Sequence, residues 1–480
     1  MNKHVTENKY SLTINGEGVE AKSSFGVINP ATEEVFAQAP EASDQQLNAA
    51  FDAAENAFDS WRKDESARRA ALAAASEAIT NASERLASVL TAEGGKPIAN
   101  ARTEVMVASI WLKYYSELDL PREIIQDDER AFSEILRRPV GPVAAITPWN
   151  YPLTLGSWKI GPALLAGNTM VLKPSPYTPL STLVMGEVLR GIFPPGVLNI
   201  LTGGDDLGAK MTSHPKTRKI SFTGSVATGK HVAASAARDL KLVTLELGGN
   251  DPAILLDDVD IDAIAQNIFW GAFANNGQVC SAIKRVYAPK SIYKDVVEAL
   301  TELAKNAKVG NGADESTDLG PLNNAQQYER VKELSADALR NGAKATTGGN
   351  PIDGPGYFFE PTILTGALDG SRIVDEEQFG PVLPIIPYDD IDDAIAKANN
   401  SKYGLSGSVW AKDTERGDAV AAQLEAGTTW VNCHMAFSPE IPFGGNKWSG
   451  TGLENGVWGV QSFTEPHVVY RTVQEPAIYR

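Results

Sequence analysis

The sequence contains little cysteine and little histidine. Its 480 residues include 2 Cys and 5 His. Two cysteines cannot form a disulfide framework, and the scattered histidines do not produce the Cys/His spacing of a zinc site. We therefore predict no metal site and a reducing, cytoplasmic compartment.

Positive charge is also scarce. The chain carries 43 Lys and Arg against 60 Asp and Glu, which gives a formal net charge of -17. Because this charge repels nucleic acid and anionic membrane surfaces, we predict neither as a partner. A small molecule is the expected substrate.

Long apolar segments are missing as well. The first residues, MNKHVTENKY, contain no apolar stretch of the kind that a signal peptide needs, so we expect no secretory signal. The longest uncharged run, residues 140–157, is interrupted by Pro142, Pro148 and Pro152. It predicts a buried strand followed by a loop rather than a membrane span.

Helical and strand-like patterns divide the rest of the chain. Residues 41–118 are rich in Ala, Leu and Glu at helical spacing. After them, short apolar runs that end in Gly or Pro alternate with helical segments. The first series of runs is GPVAAITP, NTMVLKP, VLNILTGG, KISFTGS and LVTLELGG, and the second is RVYAP, GYFFEPTIL, PVLPIIPY and TTWVN. This alternation predicts an α/β fold with two doubly wound domains, whose strand ends form a ligand crevice.

Two further segments, DDERAFSEILRRPV and TEPHVVYRTV, have the pattern of amphipathic strands that lie outside both series. Strands that leave their own domain can pair with a neighbouring subunit. We therefore expect a small β element for oligomerisation and a homodimer or homotetramer.

The segment FTGSVATGK has the strand, glycine turn and helix start that place backbone N–H groups around a phosphate. Gly224 and Lys230 have the spacing of a Walker loop, but His231 stands where a Ser or Thr must hold magnesium. The second close glycine of the common dinucleotide fingerprint is also missing after Gly224. The segment alone leaves a phosphate site and a simple tight turn as open alternatives.

Three polar residues stand in segments shaped by glycine or proline. Cys280, in the run NGQVCS, could be inert packing, a disulfide or metal partner, or a nucleophile. Glu246 ends an apolar strand before two glycines and could be a solvated side chain or a general base with a raised pKa. Asn150, in TPWNYP, could cap a turn or donate to an oxyanion. Cys433 has no such context and is expected to be inert.

Together, eight motifs resemble the aldehyde dehydrogenase superfamily in their order and spacing. They are ITPWNYP, LKPSP, FTGS, LELGGNDP, NNGQVCSA, GYFFEPT, EEQFGPV and PFGGNKWSGTGLENG. The resemblance extends from INPATEEV, near residue 28, to the terminal strand. Because Glu246 is present, the chain is similar to the hydrolytic, NAD(P)-dependent members rather than to the acylating branch.

The resemblance implies a nucleophile, an oxyanion donor and a base. Cys280 would attack the aldehyde carbon, and the Asn150 amide with the Cys280 N–H would hold the resulting oxyanion. After hydride leaves to NAD(P), Glu246 would activate the water that hydrolyses the thioester to a carboxylic acid. Lys159 and Glu454 match a proposed proton relay, with an ordinary ion pair as the alternative.

The same resemblance implies cofactor and substrate contacts. The expected cofactor residues are Trp149, Lys173, Ser175, Gly224, Ser225, Glu377 and Phe379. The expected walls of the aldehyde channel are Tyr151, Trp158, Val279, Ser281, Phe437 and Phe443. Many NAD-preferring members have a glutamate where this chain has Pro176, so NADP is not excluded. NAD is nevertheless expected, because no additional Arg or Lys is near in the sequence to receive the extra phosphate.

The resemblance also implies domain bounds and a substrate class. We expect an NAD(P)-binding domain from residues 1–119 and 140–248, a catalytic domain from 249–448, and oligomerisation strands with a carboxyl-terminal segment from 120–139 and 449–480. Aromatic walls favour an apolar aliphatic or aromatic aldehyde, with a betaine or amino aldehyde as the alternative. A noncatalytic structural or nucleotide-binding protein is disfavoured, because Cys280, Glu246 and Asn150 are all present.

Overall fold

The computed structural model describes residues 9–472. Residues 1–8, which belong to the segment considered for a secretory signal and to the first predicted domain, lie outside the described residues, and so do residues 473–480 of the predicted carboxyl-terminal segment. No helix within the described part of the chain is both long and apolar enough to cross a membrane.

Strands and helices alternate through most of the chain. The strands are β1 (Leu12–Ile14), β2 (Glu17–Val19), β3 (Ser23–Asn29), β4 (Glu34–Glu41), β5 (Glu123–Asp127), β6 (Ala131–Pro139), β7 (Pro142–Ile146), β8 (Thr169–Lys173), β9 (Leu198–Ile200), β10 (Lys219–Thr223), β11 (Leu242–Glu246), β12 (Asp251–Leu255), β13 (Ile283–Pro289), β14 (Lys344–Thr347), β15 (Thr362–Thr365), β16 (Val382–Tyr388), β17 (Tyr403–Gly404), β18 (Ser406–Trp410), β19 (Thr428–Val431), β20 (Asn446–Lys447), β21 (Gly450–Thr451) and β22 (Thr464–Thr472).

The α-helices are distributed between these strands. They are α1 (Asp44–Trp61), α2 (Glu65–Asn81), α3 (Ser83–Gly94), α4 (Ile98–Glu117), α5 (Pro152–Leu165), α6 (Leu180–Leu189), α7 (Asp205–Ser213), α8 (Val226–Ala237), α9 (Ile261–Phe273), α10 (Tyr293–Asn306), α11 (Ala325–Arg340), α12 (Arg372–Asp375), α13 (Ile391–Asn399), α14 (Thr414–Ala421) and α15 (Gly456–Ser462), and a 3₁₀ turn covers Ala274–Gly277.

The first sheet has the order β2-β1-β9-β8-β7-β10-β11-β21. Its central strands, from β9 to β11, are parallel, and the edge strands are antiparallel. The chain proceeds from β7 to β8 and β9 on one side and then crosses to β10 and β11 on the other. Because the order reverses there, a crevice opens at the carboxyl ends of β7 and β10, as the sequence predicts.

The second sheet has the order β14-β15-β16-β13-β12-β18-β19, and all its strands except β14 are parallel. Apolar side chains fill two separate clusters that contain members of this sheet. A third, antiparallel sheet has the order β22-β6-β5. The two predicted amphipathic strands pair with each other in it, so the predicted fold class, two doubly wound α/β units and a small β element, is confirmed.

Some elements differ from the sequence-based expectation. In GYFFEPTIL only the last three residues belong to a strand, Thr362–Thr365, because Gly356 adopts a φ of 97° and Pro361 has no N–H to donate to a ladder. Strands β1 to β4 precede the first helix, where no element was expected. The domain bounds stay a prediction, but β21, within the predicted segment 449–480, pairs with β11 in the first sheet.

Candidate active site

The turn before Cys280 has an unusual backbone. Asn275, Asn276 and Gly277 have positive φ angles of 49°, 59° and 73°. A Cβ on Gly277 would lie 2.3 Å from the carbonyl oxygen of Gly380. Only glycine fits at this approach, which explains the glycine-led segment in which Cys280 stands.

Buried amide side chains hold this turn in place. Gln278 donates through Nε2 to the Asn275 carbonyl at 2.9 Å, and its Oε1 accepts from the backbone N–H of Asn323 at 2.9 Å. Asn276 donates to the carbonyl of Gly320 at 2.9 Å. The backbone under Cys280 is therefore anchored by several elements before any substrate arrives.

Asn150 lies against the same turn. It follows β7, is 4 % exposed, and donates through Nδ2 to the carbonyl of Gln278 at 2.9 Å. An amide nitrogen carries two hydrogens, so one donor remains for a ligand. The structure thus brings Asn150 and Cys280 together, although 130 positions separate them in the sequence.

A buried ion pair fixes the backbone around Asn150. Lys96 pairs with Glu104 and donates to the Asn150 carbonyl at 2.6 Å. Glu104 in turn accepts from the N–H groups of Leu153 and Thr154 at 2.9 and 3.3 Å, and so caps the start of α5. No local pattern in the sequence indicates this pair, because Lys96 and Glu104 become neighbours of Asn150 only when α4 packs on α5.

Glu246 stands at the carboxyl end of β11, opposite Thr223 of β10. Its side chain is buried, and neither carboxylate oxygen accepts a hydrogen bond from another residue between 9 and 472. Burial, together with the charge of Glu454, raises the pKa of Glu246 to about 8, although the charge of Lys159 and the nearby side chains of Cys280 and Thr223 act to lower it. A buried carboxylate with free lone pairs and a pKa near neutrality can serve as a general base.

The Cys280 side chain is half-buried and forms no disulfide. Burial raises the pKa of its thiol well above the ordinary value, and the charge of Glu246 raises it further. Lys284 acts in the opposite direction. Cys433, the other cysteine, is also half-buried, and burial alone raises the pKa of its thiol.

Lys159 and Glu454 form a buried ion pair below Glu246. The Lys159 Nζ lies 2.6 Å from Glu454 Oε1, and it also donates to Ser221 at 3.1 Å and Thr223 at 2.8 Å. The second oxygen of Glu454 is buried without a protein partner among the described residues. The pair thus lies close enough to influence Glu246, and its role as a relay stays a prediction.

A cavity of about 1310 Å³ opens at the crevice of the first sheet. Among the predicted cofactor residues, it is lined by Trp149, Lys173, Ser175, Gly224 and Ser225. Helix α8 begins at Val226 with Ser225 as its cap, so its free N–H groups face an anion-binding position. Burial lowers the pKa of Lys173 to about 8.

The other predicted cofactor residues lie beside this cavity. The Phe379 ring stands perpendicular to Trp149, with the ring centroids 5.2 Å apart. Glu377 accepts from the N–H of Gly249 at 3.0 Å, and burial raises the pKa of its carboxyl. These positions suit a cofactor that extends from Lys173 toward Cys280.

Aromatic rings make up much of the predicted aldehyde channel. The Trp158 ring lies 5.6 Å from Phe437 and 5.8 Å from Phe443, both in edge-to-face geometry, and Phe437 and Phe443 are 5.1 Å apart. Burial raises the pKa of the Tyr151 hydroxyl, and Tyr151 lies close enough to Glu104 and Cys280 for their negative charges to raise it further. Val279 and Ser281 are buried on either side of the cysteine.

Comparison with known proteins gives consistent matches along the chain. The family model described as the aldehyde dehydrogenase family matches residues 18–469. The chain is similar to the chloroplastic betaine aldehyde dehydrogenase of Beta vulgaris, with 38% identity, 94% of this chain and 94% of that protein covered. It is similar to retinaldehyde dehydrogenase 3 of Homo sapiens, with 37% identity, 95% of this chain and 92% of that protein covered. The NAD+ complex of an aldehyde dehydrogenase from Bacillus cereus superposes with a TM-score of 0.95 at 36% identity, over 98% of both chains.

Proposed function

The chain belongs to the aldehyde dehydrogenase family, and on this premise we propose that Cys280, Asn150 and Glu246 are its catalytic residues. It is an NAD-dependent enzyme that oxidises an aldehyde to a carboxylic acid. One observation carries the assignment of residues. Glu246, with two free buried oxygens, and Asn150, with a spare amide hydrogen, converge on the turn of Cys280.

Cys280 forms the covalent intermediate. Its thiolate attacks the aldehyde carbon, and the carbonyl π electrons move to the oxygen, giving a thiohemiacetal anion. The second Nδ2 hydrogen of Asn150 and the N–H of Cys280 donate to this oxygen. Because Asn150 is held from both sides by the Gln278 carbonyl and by Lys96, the donor does not need to reorganise during the reaction.

The residues at the crevice fit NAD+. The α8 N-terminus and Ser225 suit the pyrophosphate, Lys173 the adenosine half, and Glu377 with Phe379 the nicotinamide half. Bound NAD+ supplies the acceptor for the hydride that the tetrahedral carbon loses, which leaves a thioester on Cys280.

Glu246 completes the cycle. Its carboxylate takes a proton from water, and the hydroxide formed attacks the thioester carbon, so that the C–S bond breaks and a carboxylic acid leaves. The proton then has to leave a buried group. Lys159 and Glu454, with the hydroxyls of Ser221 and Thr223, provide polar atoms for that transfer below the strand end.

We infer an apolar aliphatic or aromatic aldehyde as the substrate. The channel rings of Trp158, Phe437 and Phe443 face one another edge to face, whereas a cage for a quaternary ammonium needs ring faces directed at one point. The ammonium of Lys96 already lies 3.8 Å from the centroid of the Tyr151 ring. Identity does not separate the two classes, since the relatives named for betaine aldehyde and for retinaldehyde are 38% and 37% identical to this chain.

A substrate panel tests this inference. We expect benzaldehyde and medium-chain aliphatic aldehydes to have kcat/KM at least about tenfold above betaine aldehyde, because the channel residues provide no carboxylate for a buried cation. NADH formation measured by absorbance with each aldehyde gives the ratio. Preference for betaine aldehyde would contradict the apolar assignment, and no activity with any aldehyde would contradict the proposed function.

Asp205 is proposed to favour NAD over NADP. It is the first residue of α7, lines the cavity, and lies near enough to Lys173 to raise the pKa of that amine. A carboxylate there accepts hydrogen bonds from ribose hydroxyls and repels a 2′-phosphate. It compensates for the glutamate that Pro176 replaces.

We expect Asp205→Asn to lower the ratio of kcat/KM for NAD over NADP by about tenfold, since one repulsive charge is removed. Parallel NADH and NADPH assays with one aldehyde measure the ratio. Asp206→Asn is the matched control, because Asp206 is in the same helical turn but does not line the cavity. An equal effect of both variants would show that Asp205 has no special role.

The third sheet is proposed as the contact between subunits of a homodimer or homotetramer. Ile125, Val468 and Tyr470 on its strands are 65%, 59% and 62% exposed. Apolar side chains on a strand surface are stabilised when a second copy covers them.

A reducing cytoplasm is the proposed compartment, since both thiols remain unpaired.

A further inference from the structure

A buried group of charges lies directly beneath the nucleophile turn. It consists of Lys284, Asp251 and Glu377, and is called the Lys284 cluster below. Lys284 and Asp251 are 3% and 1% exposed, and Glu377 is largely covered. None of the three forms or breaks a bond in the proposed reaction. Burying a charge costs free energy unless the charge is well paired.

Lys284 is bonded mainly to the nucleophile turn. Its Nζ donates to the carbonyl of Val279 at 3.0 Å, to the carbonyl of Cys280, and at 3.5 Å to that of Ala282. The same ammonium lies 3.5 Å from Glu377 Oε1. One cation thus joins the backbone on both sides of the cysteine to a carboxylate at the predicted nicotinamide end of the cofactor cavity.

The glycines after Glu246 allow the cluster to assemble. A Cβ on Gly249 would lie 2.8 Å from the Cys280 carbonyl and 2.4 Å from Asp251 Oδ1. A Cβ on Gly248 would lie 2.2 Å from Glu377 Oε2. The close backbone approach that the glycine pair predicts therefore brings the cysteine turn, Asp251 and Glu377 together.

Of the charged groups around Cys280, only Lys284 favours ionisation of its thiol. Glu246, Asp251 and Glu377 each raise the pKa of the Cys280 thiol, and Lys284 lowers it. His434, which contacts the Ser281 carbonyl at 2.6 Å, adds no charge at neutral pH, because burial lowers its pKa to about 3. The titratable groups that face Cys280 are Tyr151, Glu246, Asp251, Lys284, Glu377 and His434.

We propose that Lys284 is a positioning residue for the reaction: its ammonium holds the carbonyl groups of the Cys280 turn, and its positive charge stabilises the Cys280 thiolate. The proposal rests on Cys280 being the nucleophile of the proposed function. Asp251 and Glu377 offset the charge of Lys284 in the buried setting, so that the cation is retained without a counter-ion from solvent.

The reactivity of the thiol tests the proposal directly. The rate of alkylation by iodoacetamide follows the thiolate fraction, and peptide mass spectrometry separates Cys280 from Cys433. In Lys284→Gln, which keeps a donor but removes the charge, we expect the midpoint of the pH profile at Cys280 to rise. The alkylation rate below the midpoint should fall about tenfold. In Lys284→Arg, which keeps the charge, the rate should stay within about threefold of the unchanged protein.

Two controls separate charge from damage to the fold. Cys433, whose pKa shift does not involve Lys284, should be alkylated at an unchanged rate in the same samples. Lys219→Gln removes another buried lysine, which donates to Thr244 at 2.7 Å, and should leave the Cys280 profile unchanged.

The proposal is overturned if the pH profile of Cys280 alkylation in folded Lys284→Gln superimposes on that of the wild-type protein. It is also overturned if the midpoint shifts as far in Lys284→Arg as in Lys284→Gln. Should Lys284→Gln fail to fold, Asp251→Asn gives an independent test, since removing this carboxylate should lower the midpoint. An unmoved midpoint in Asp251→Asn would contradict the effect of the Lys284 cluster on ionisation of the Cys280 thiol.

These readouts do not depend on aldehyde turnover. If Cys280→Ala is inactive and the alkylation profile of Lys284→Gln is unaltered, the role of Lys284 is rejected and the proposed function stands. A fully active Cys280→Ala variant would instead reject the proposed function.

Discussion

Cys280→Ala should lose aldehyde oxidation by about 10⁴-fold or more, because the variant has no group that can form the thiohemiacetal. Binding of NAD+ should remain, since the cavity of about 1310 Å³ is lined by other residues. The fold should also remain, because the side chain is half-buried and forms no disulfide. NADH formation and NAD+ titration by quenching of protein fluorescence measure the two properties separately.

Cys433→Ala is the matched control for this prediction. It removes the only other cysteine in the sequence, which is also half-buried, and its activity should stay within about twofold of the unchanged protein. Normal turnover by Cys280→Ala, or equal losses in the two variants, would remove Cys280 from the mechanism. Loss of NAD+ binding would show instead that the cysteine supports the cavity.

Glu246→Gln should release one equivalent of NADH per active site and then nearly stop. The amide keeps the shape of the side chain but cannot take a proton from water, so the thioester accumulates on Cys280. The steady-state rate after the burst should fall by about 10²-fold to 10⁴-fold. Rapid-mixing absorbance of NADH gives the burst, and mass spectrometry of the stopped enzyme detects the acyl group.

The pH dependence of the unchanged enzyme follows from the same carboxyl. Burial raises the pKa of Glu246 to about 8, so the ionised base is the minor form at neutral pH. A step that requires this base therefore becomes faster as pH rises through about 8, and it loses that dependence in Glu246→Gln. As the control, Glu415→Gln, at an exposed position of α14, should leave the rate and the pH profile unchanged. A Glu246→Gln variant that turns over normally without a burst would exclude the deacylation role.

Much of the site follows from local sequence. Lys173 and Glu246 end apolar strands, and Asn150 and Ser225 stand in the loops that follow such strands. Carboxyl ends of parallel strands share one edge of a sheet. The positive φ angles before Cys280 likewise follow from the Asn-Asn-Gly run. Local patterns of this kind determine the fold class, the crevice and the main candidate residues.

Residues that support the site from elsewhere in the chain cannot be found in this way. Lys96, in the loop before α4, and Glu104, on α4, show no local sign of a role, and they meet Asn150 because α4 packs on α5. The strand β21 joins the first sheet through a return of the chain after the second sheet. Such contacts depend on long-range packing, which sequence periodicity does not encode.

The sequence by itself determined the α/β class, the family, and the residue types available for thiol chemistry and NAD+ binding. Only the tertiary structure decided which charges surround the thiol. It placed Glu246 with two free oxygens near Cys280, and Lys284 beneath the turn against Glu377. The reason is that a pKa depends on burial and on charges within a few ångströms, and these distances are set by the packing of separate strands rather than by neighbours in the sequence.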